Sequence, residues 1–255
     1  MTKQILCALA AAAATACGGA TSPAAPSMFS SFALAAGPVT DAFEYYYAPD
    51  DTVNVAWQEA YHRWAIDALR VAPTRRIRYN KYKSREHMGS VINVSNVNGF
   101  ANGDTFEIHT IWPTDNHEVV HLYSAAFGRT VALWSEGLAV AFQTNPPSGD
   151  LTPRWSSVPL DELVRRYHAD GRLLPISDLL TTTDFRRFAD TITYPEAGSF
   201  TRFVIDTCGL DGVKQMFAAV GTSATADVVR SQFEAICGRS IAAAEQAWLT
   251  RLDLR

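Results

Sequence analysis

Residues 105–143 read TFEIHTIWPTDNHEVVHLYSAAFGRTVALWSEGLAVAFQ, and the order of elements in this stretch sets the fold class. Phe106, Ile108, Thr110 and Trp112 recur at a spacing of two, which predicts a strand over Thr105 to Trp112. Pro113 ends it. Thr114 or Asp115 can then cap a helix running to about Phe127, with Gly128 past its end. A second helix is expected over about Ser135 to Gln143, stopped by Pro146-Pro147. Only Gly128-Arg129-Thr130 separates the two helices clearly, so the chain reverses there and lays them antiparallel.

The first helix carries His117-Glu118-Val119-Val120-His121. Histidines four apart on a helix share one face, one turn apart. Both imidazoles can then offer a nitrogen to one Zn²⁺ at about 2.0–2.1 Å. Glu118 sits beside the first His, where it can take a proton from metal-bound water and pass it to a leaving amine. Val119, Val120 and Leu122 point away into the core and hold the helix in place. Catalytic zinc needs a third protein ligand and an open position. Glu136, within Trp134-Ser135-Glu136-Gly137-Leu138-Ala139, comes back to the metal across the short link and is the candidate. The competing reading makes Glu136 a first-turn acid stabilised by its own helix dipole. Asp115, Asn116 or a later Asp could hold the imidazoles from behind. His62, His87, His109 and His168 lack ligand spacing and read as surface or core residues.

Working outward, the N-terminal half mixes strands with a helix. Phe43 to Tyr47 and Arg76 to Tyr82 read as strands, and Val53 to Val71 has helical spacing with a wide apolar face. Residues 89–103 are rich in Asn and Gly. They predict a weak strand from the alternation at Val91 to Val97, followed by a loop. Toward the C-terminus, Asp161 to His168, Tyr194 to Thr207, Leu210 to Val220, Ala224 to Ile236 and Ser240 to Leu252 are candidate helices. The class is therefore α+β: a small mixed sheet with a helix, the His-bearing helix, then an all-helical part.

H-E-x-x-H followed by W-x-E-G-x-A resembles the gluzincin metallopeptidases, in particular the short peptidase MA-like group. Tyr194 with Ser199-Phe200, then Asp206 to Gly209, resembles that group's Y-x-x-x-x-S-F and D-x-x-G segments. Gly238, Ser240, Glu245 and Trp248 resemble its closing pattern. The likeness covers about Phe43 to Leu252 and is most specific at 117–139. It implies a zincin-like fold, His117, His121 and Glu136 as ligands of one zinc ion, Glu118 as general base, and peptide-bond hydrolysis. Family members often place a Tyr or His after the third ligand, which makes Tyr194 the candidate donor to the developing oxyanion. The strand Phe106 to Ile111 is expected to offer a free edge to an extended peptide. The spacer from His121 to Glu136 is shorter than in the best-known gluzincins and fits the short group.

The N-terminus reads as an address rather than as fold. Lys3 and the apolar stretch Ile5 to Ala14 form a signal-peptide pattern over residues 1–16, too short for a stable bilayer-spanning helix. Ala14-Thr15-Ala16 is an A-x-A cleavage site. Ala16-Cys17-Gly18 also resembles a bacterial lipobox, with Ala14 where Leu is usual, and would make Cys17 a lipid anchor in the bacterial envelope. An uncleaved anchor is the third possibility. Residues 17–40, rich in Ala, Ser, Gly and Pro, read as a tether to a domain over 41–255, with an α/β lobe to about 127 and a helical lobe beyond. Cys208 and Cys237 are the pair left over, and in an oxidising compartment they read as one disulfide, with two free thiols the alternative. A net charge of −4, with Lys and Arg scattered, gives no reason to expect nucleic acid or an anionic membrane as partner, leaving a peptide or protein substrate. Two alternatives to proteolysis remain on these residues: an inactive zinc-binding envelope lipoprotein, and a hydrolase of a non-protein amide such as a cell-wall cross-link.

Overall fold

The computed structural model describes residues 34–94 and 96–254. The expected signal peptide and Cys17 lie outside the described residues, as does most of the tether. Among the described residues, no helix is long and apolar enough to cross a membrane.

The protein is α+β. Five strands form one mixed sheet in the order β1 (Ala35–Val39), β2 (Phe43–Tyr47), β3 (Ile77–Lys81), β5 (Glu107–Thr110), β4 (Gly99–Asn102). The three inner strands run parallel, and both edge strands are antiparallel to their neighbours. Helix α1 (Val55–Leu69) makes the crossover from β2 to β3, and α3 (Asn116–Ser124) follows β5. Phe43, Tyr45, Ile77, Tyr79 and Ile108 on the sheet bury against Tyr61, Ala65 and Leu69 of α1 and Val119 and Val120 of α3. The alternate residues of α3 thereby have their backs to a packed core, as the apolar half of the His-bearing helix requires.

The helical part comprises α4 (Ala132–Ala141), α5 (Leu160–Ala169), a single turn α6 (Thr182–Phe185), α7 (Asp190–Cys208), α8 (Leu210–Ala219), α9 (Ala226–Cys237) and α10 (Ile241–Arg251). It shares one continuous apolar core with the sheet half. Helices α4 and α7 cross at close range, and Gly137 makes this possible. A Cβ there would lie 2.2 Å from Thr201 Oγ1 and 2.8 Å from the Ala197 carbonyl oxygen. Cys208 and Cys237 are disulfide-bonded and tie the end of α7 to the end of α9.

Side chains from several of these helices meet in this part. Trp248 Nε1 donates to Ser199 Oγ at 3.0 Å, and that hydroxyl donates to Asp161 at 2.7 Å. Phe200 lies between Trp134 and Trp248, its ring centroid 6.0 and 5.5 Å from theirs. Ser240 caps α10, and Glu245 accepts from the Ile176 N–H.

The structure departs from expectation in several places. Ala35–Val39 forms a strand paired with β2 inside the segment expected as tether over 17–40. Gly37 and Pro38 hide this strand, and Pro is tolerated because β1 is an edge with a register shift between Ala36 and Val39. Residues 85–92 form a helix, α2 (Arg85–Ile92), where the alternation at Val91 suggested a strand. Ser84 caps it by accepting from the His87 N–H, and Asn93 ends it in the left-handed region. Trp155 and Val158 pair in a small hairpin of β6 (Arg154–Trp155) and β7 (Val158–Pro159) that carries no strong sequence signal. Helix α7 begins at Asp190, before the expected Tyr194, and runs through Pro195. Pro195 lacks the N–H that would bond the Thr191 carbonyl; the Tyr167 hydroxyl donates to that carbonyl instead, at 2.6 Å.

Candidate metal centre

The His-bearing helix is fixed at its start by Asp115. Its Oδ1 accepts from the Glu118 N–H at 3.1 Å, capping α3, and its Oδ2 accepts from Thr110 Oγ1 of β5 at 2.6 Å. Its own N–H donates to Gln58 Oε1 of α1 at 3.0 Å. Asp115 and Asn116 therefore do not hold the imidazoles, contrary to expectation: the first is spent on capping, and the second donates to the Thr144 carbonyl.

From this start, α3 presents His117 and His121 on one face, with Nε2 atoms 3.0 Å apart. The 3₁₀ turn Ala125–Phe127 and Gly128 reverse the chain, and α4 returns Glu136 to the pair. Glu136 Oε2 lies 3.2 Å from His117 Nε2 and 3.2 Å from His121 Nε2. Two nitrogens and one oxygen thus form a nearly equilateral triangle. Donors at 2.0–2.1 Å around a tetrahedral ion would lie roughly 3.3–3.4 Å apart, so the triangle is close to one face of such a site. These three residues could hold a metal ion, and among the described residues they are the one such group. The dipole-stabilised reading of Glu136 does not account for its direction, since the carboxylate faces the imidazoles and not its own helix N-terminus.

Behind the triangle, His121 Nδ1 lies 3.4 Å from Ser135 Oγ. His117 Nδ1 is buried without a hydrogen-bond partner among the described residues. Its ring is fixed instead by stacking on Tyr194, with centroids 5.9 Å apart and planes 22° apart. Tyr194 is half-buried among Trp155, Phe185 and His117, so it stands beside the site as expected. Its hydroxyl, however, is engaged by Arg186, whose Nη1 donates to it at 2.6 Å. The same guanidinium donates through Nη2 to Glu136 Oε1 at 2.5 Å. Arg186 carries no sequence signal: it follows the single turn α6 and lies fifty positions from Glu136.

Charge in the site is organised by burial. Glu136 is buried, which alone would raise its pKa, but the two imidazoles outweigh this and hold it well below the usual carboxylate range. Glu118 is pushed up to about 8, chiefly by burial and then by the Asp115 and Glu136 charges, while His117 and the Ala101 N–H act in the opposite sense. A cation at the triangle would pull it back down. Neighbouring backbone comes close: a Cβ at Gly99 would lie 2.9 Å from Asp115 Oδ2 and 3.2 Å from Glu118 Cγ.

The triangle opens on a cleft of about 1610 Å³, larger than the ordinary 300–1,000 Å³ of a small-molecule site. Gly99, His117, Glu118, Glu136, Trp155 and Tyr194 line it about the triangle. The sheet edge facing the cleft is β4. The expected edge strand, β5, is hydrogen-bonded on both sides, to β3 and to β4. The Asn/Gly-rich sequence of β4 conceals it. Asn102 builds the tight turn into β5, accepting from the Asp104 and Thr105 N–H groups, with Phe106 left-handed at φ 62°.

Comparisons with protein-family models, with curated proteins and with solved structures give no match.

Proposed function

We propose that the protein is a zinc-dependent peptidase of the gluzincin kind, with His117, His121 and Glu136 as metal ligands and Glu118 as general base. The observation that carries this is the triangle of His117 Nε2, His121 Nε2 and Glu136 Oε2 at 3.0–3.2 Å, with the carboxylate of Glu118 one residue from the first ligand. The donor set of two imidazoles and one carboxylate suits zinc in a catalytic site, where three protein ligands leave one position open. When bound, zinc supplies a Lewis acid that polarises a carbonyl and eases the deprotonation of water.

The chain's own residues do the rest. Glu118, buried at the start of α3, takes a proton from the attacking water and delivers it to the leaving amine. Tyr194 stands beside His117 and donates to the oxygen on which negative charge develops. The free side of β4 pairs with an extended peptide, so that backbone hydrogen bonds hold the substrate along the cleft. An exported, oxidising setting suits the Cys208–Cys237 bond.

The test is a digest of a quenched-peptide library by zinc-loaded protein, with two variants. Glu118→Gln keeps one zinc per chain and loses hydrolysis by roughly 10²–10⁴-fold. Glu136→Gln loses zinc. Full hydrolysis by zinc-loaded Glu118→Gln overturns the mechanism, and undiminished zinc binding by Glu136→Gln overturns the ligand set.

A further inference from the structure

Glu136 divides its two oxygens between two partners. Oε2 faces both imidazoles at 3.2 Å, while Oε1 accepts from Arg186 Nη2 at 2.5 Å. The other arm of the same guanidinium reaches Tyr194 Oη at 2.6 Å. We propose that Arg186 is the positioning residue of this site, and that its planar fork sets both the third metal ligand and the phenol of Tyr194. The metal-binding half of this inference stands by itself; the kinetic half rests on the peptidase reading.

Three pieces of chemistry support it. A guanidinium offers donors in a rigid plane and makes short charge-assisted bonds to carboxylates. With Oε1 tied in this way, Glu136 is left one oxygen for a metal and cannot turn its carboxylate to offer both. A tyrosine hydroxyl has one proton to donate as well as lone pairs to accept with. Because Tyr194 Oη accepts from Arg186, its proton must point elsewhere, and its ring lies near-parallel to that of His117 with centroids 5.9 Å apart. The guanidinium beside the phenol makes its remaining O–H a better donor. Arg186 thus acts on the site through Glu136 and Tyr194. A lysine, with a compact charge on a flexible stem, could satisfy one acceptor at a time but would not fix the geometry of both.

An ordinary half-exposed ion pair would contribute little, and the experiment separates the two cases. Arg186→Met, Tyr194→Phe and the double variant are loaded with Co²⁺ as a spectroscopic probe. Arg186→Met shifts the visible cobalt absorption and weakens metal binding, measured by chelator competition, by about 10–100-fold. Tyr194→Phe leaves both near wild type. In peptide hydrolysis each single variant lowers kcat by about 10–100-fold with KM little changed, and the double variant is no slower than the slower single one, as expected for residues acting as a unit. A wild-type cobalt spectrum and affinity in Arg186→Met overturns the proposal, as do kcat losses that multiply in the double variant. Should Arg186→Met fail to fold, Arg186→Lys takes its place: a shifted cobalt spectrum supports the fork, and full restoration of spectrum and kcat overturns it. If the wild-type protein hydrolyses no peptide, the peptidase reading falls, and the cobalt arm still decides whether Arg186 holds Glu136.

Discussion

Replacing Gly137 by Ala sets two effects of opposite sign against each other. In an exposed helix the change stabilises by about 1 kcal/mol, because Ala has the higher helix propensity. Gly137 is not exposed: the new methyl would lie 2.2 Å from Thr201 Oγ1 and 2.8 Å from the Ala197 carbonyl oxygen. The hydroxyl can rotate away, but the carbonyl belongs to the backbone of α7, so the two helices must separate. Overpacking of this kind costs about 1–3 kcal/mol, and contact with backbone puts it at the upper end. Subtracting the propensity gain leaves a net loss of about 2 kcal/mol. For a domain of this size that lowers Tm by roughly 4–8 °C. Removing the nearer obstacle with Thr201→Ala in the Gly137→Ala background should recover part of the loss, since the carbonyl contact remains. The measurement is urea unfolding of the four proteins in the cycle, without metal so that binding does not add to stability. Because Glu136 is the neighbouring residue, metal affinity at the His117, His121 and Glu136 group should fall in parallel. A Gly137→Ala protein as stable as wild type, or more so, would show that α4 and α7 do not approach as described.

Two further predictions concern stability. Burial holds the Glu196 carboxyl well above its usual range, with Glu245 and Asp178 adding repulsion and the Leu174 N–H opposing them. In the folded protein it therefore keeps a proton that the unfolded chain releases above about 4.5, and folding is penalised progressively as pH rises past that point. Glu196→Gln should match wild type near pH 4 and be the more stable of the two at pH 8; equal stability difference at both pH values in chemical unfolding would contradict this. Replacing Cys208 and Cys237 together by Ala removes a link between positions 29 apart, and should cost about 3.6 kcal/mol in the chain-entropy account. Unfolding of oxidised wild type beside the double variant reads this directly, and a loss under about 1 kcal/mol would mean that α7 and α9 are held by packing alone.

The grouping of His117, His121 and Glu136 was legible because each step to it is local. Four-residue spacing puts His117 and His121 on one face, and a link of a few residues can only bring α4 back beside α3. Strands with alternating large side chains, such as Phe43 to Tyr47, were equally plain. The elements that escaped are those whose existence depends on distant partners. Strand β4 is four residues of Gly, Phe, Ala and Asn, and is a strand because β5 supplies its hydrogen bonds. Strand β1 contains Gly and Pro and persists as an edge of β2. Misplacing the cleft-facing edge onto β5 follows directly from missing β4. The start of α7 was obscured by Pro195, whose cost is offset by Tyr167, a residue from another helix. Arg186 illustrates the same limit within the site: an exposed arginine in a short connection looks like any other until the fold brings Glu136 and Tyr194 to its two arms.

A helix lying on a sheet can slide along its axis, roll about it or tilt, and any of these motions would carry the two imidazoles away from Glu136. Asp115 works against all three from a single point. Its bond to Thr110 ties the helix end to the sheet, its N–H joins α1 alongside, and its cap on Glu118 keeps the first turn wound. The triangle of donors inherits its accuracy from this joint, about one helical turn away. Loosening it would leave all three donors in the sequence and blur the place where they converge.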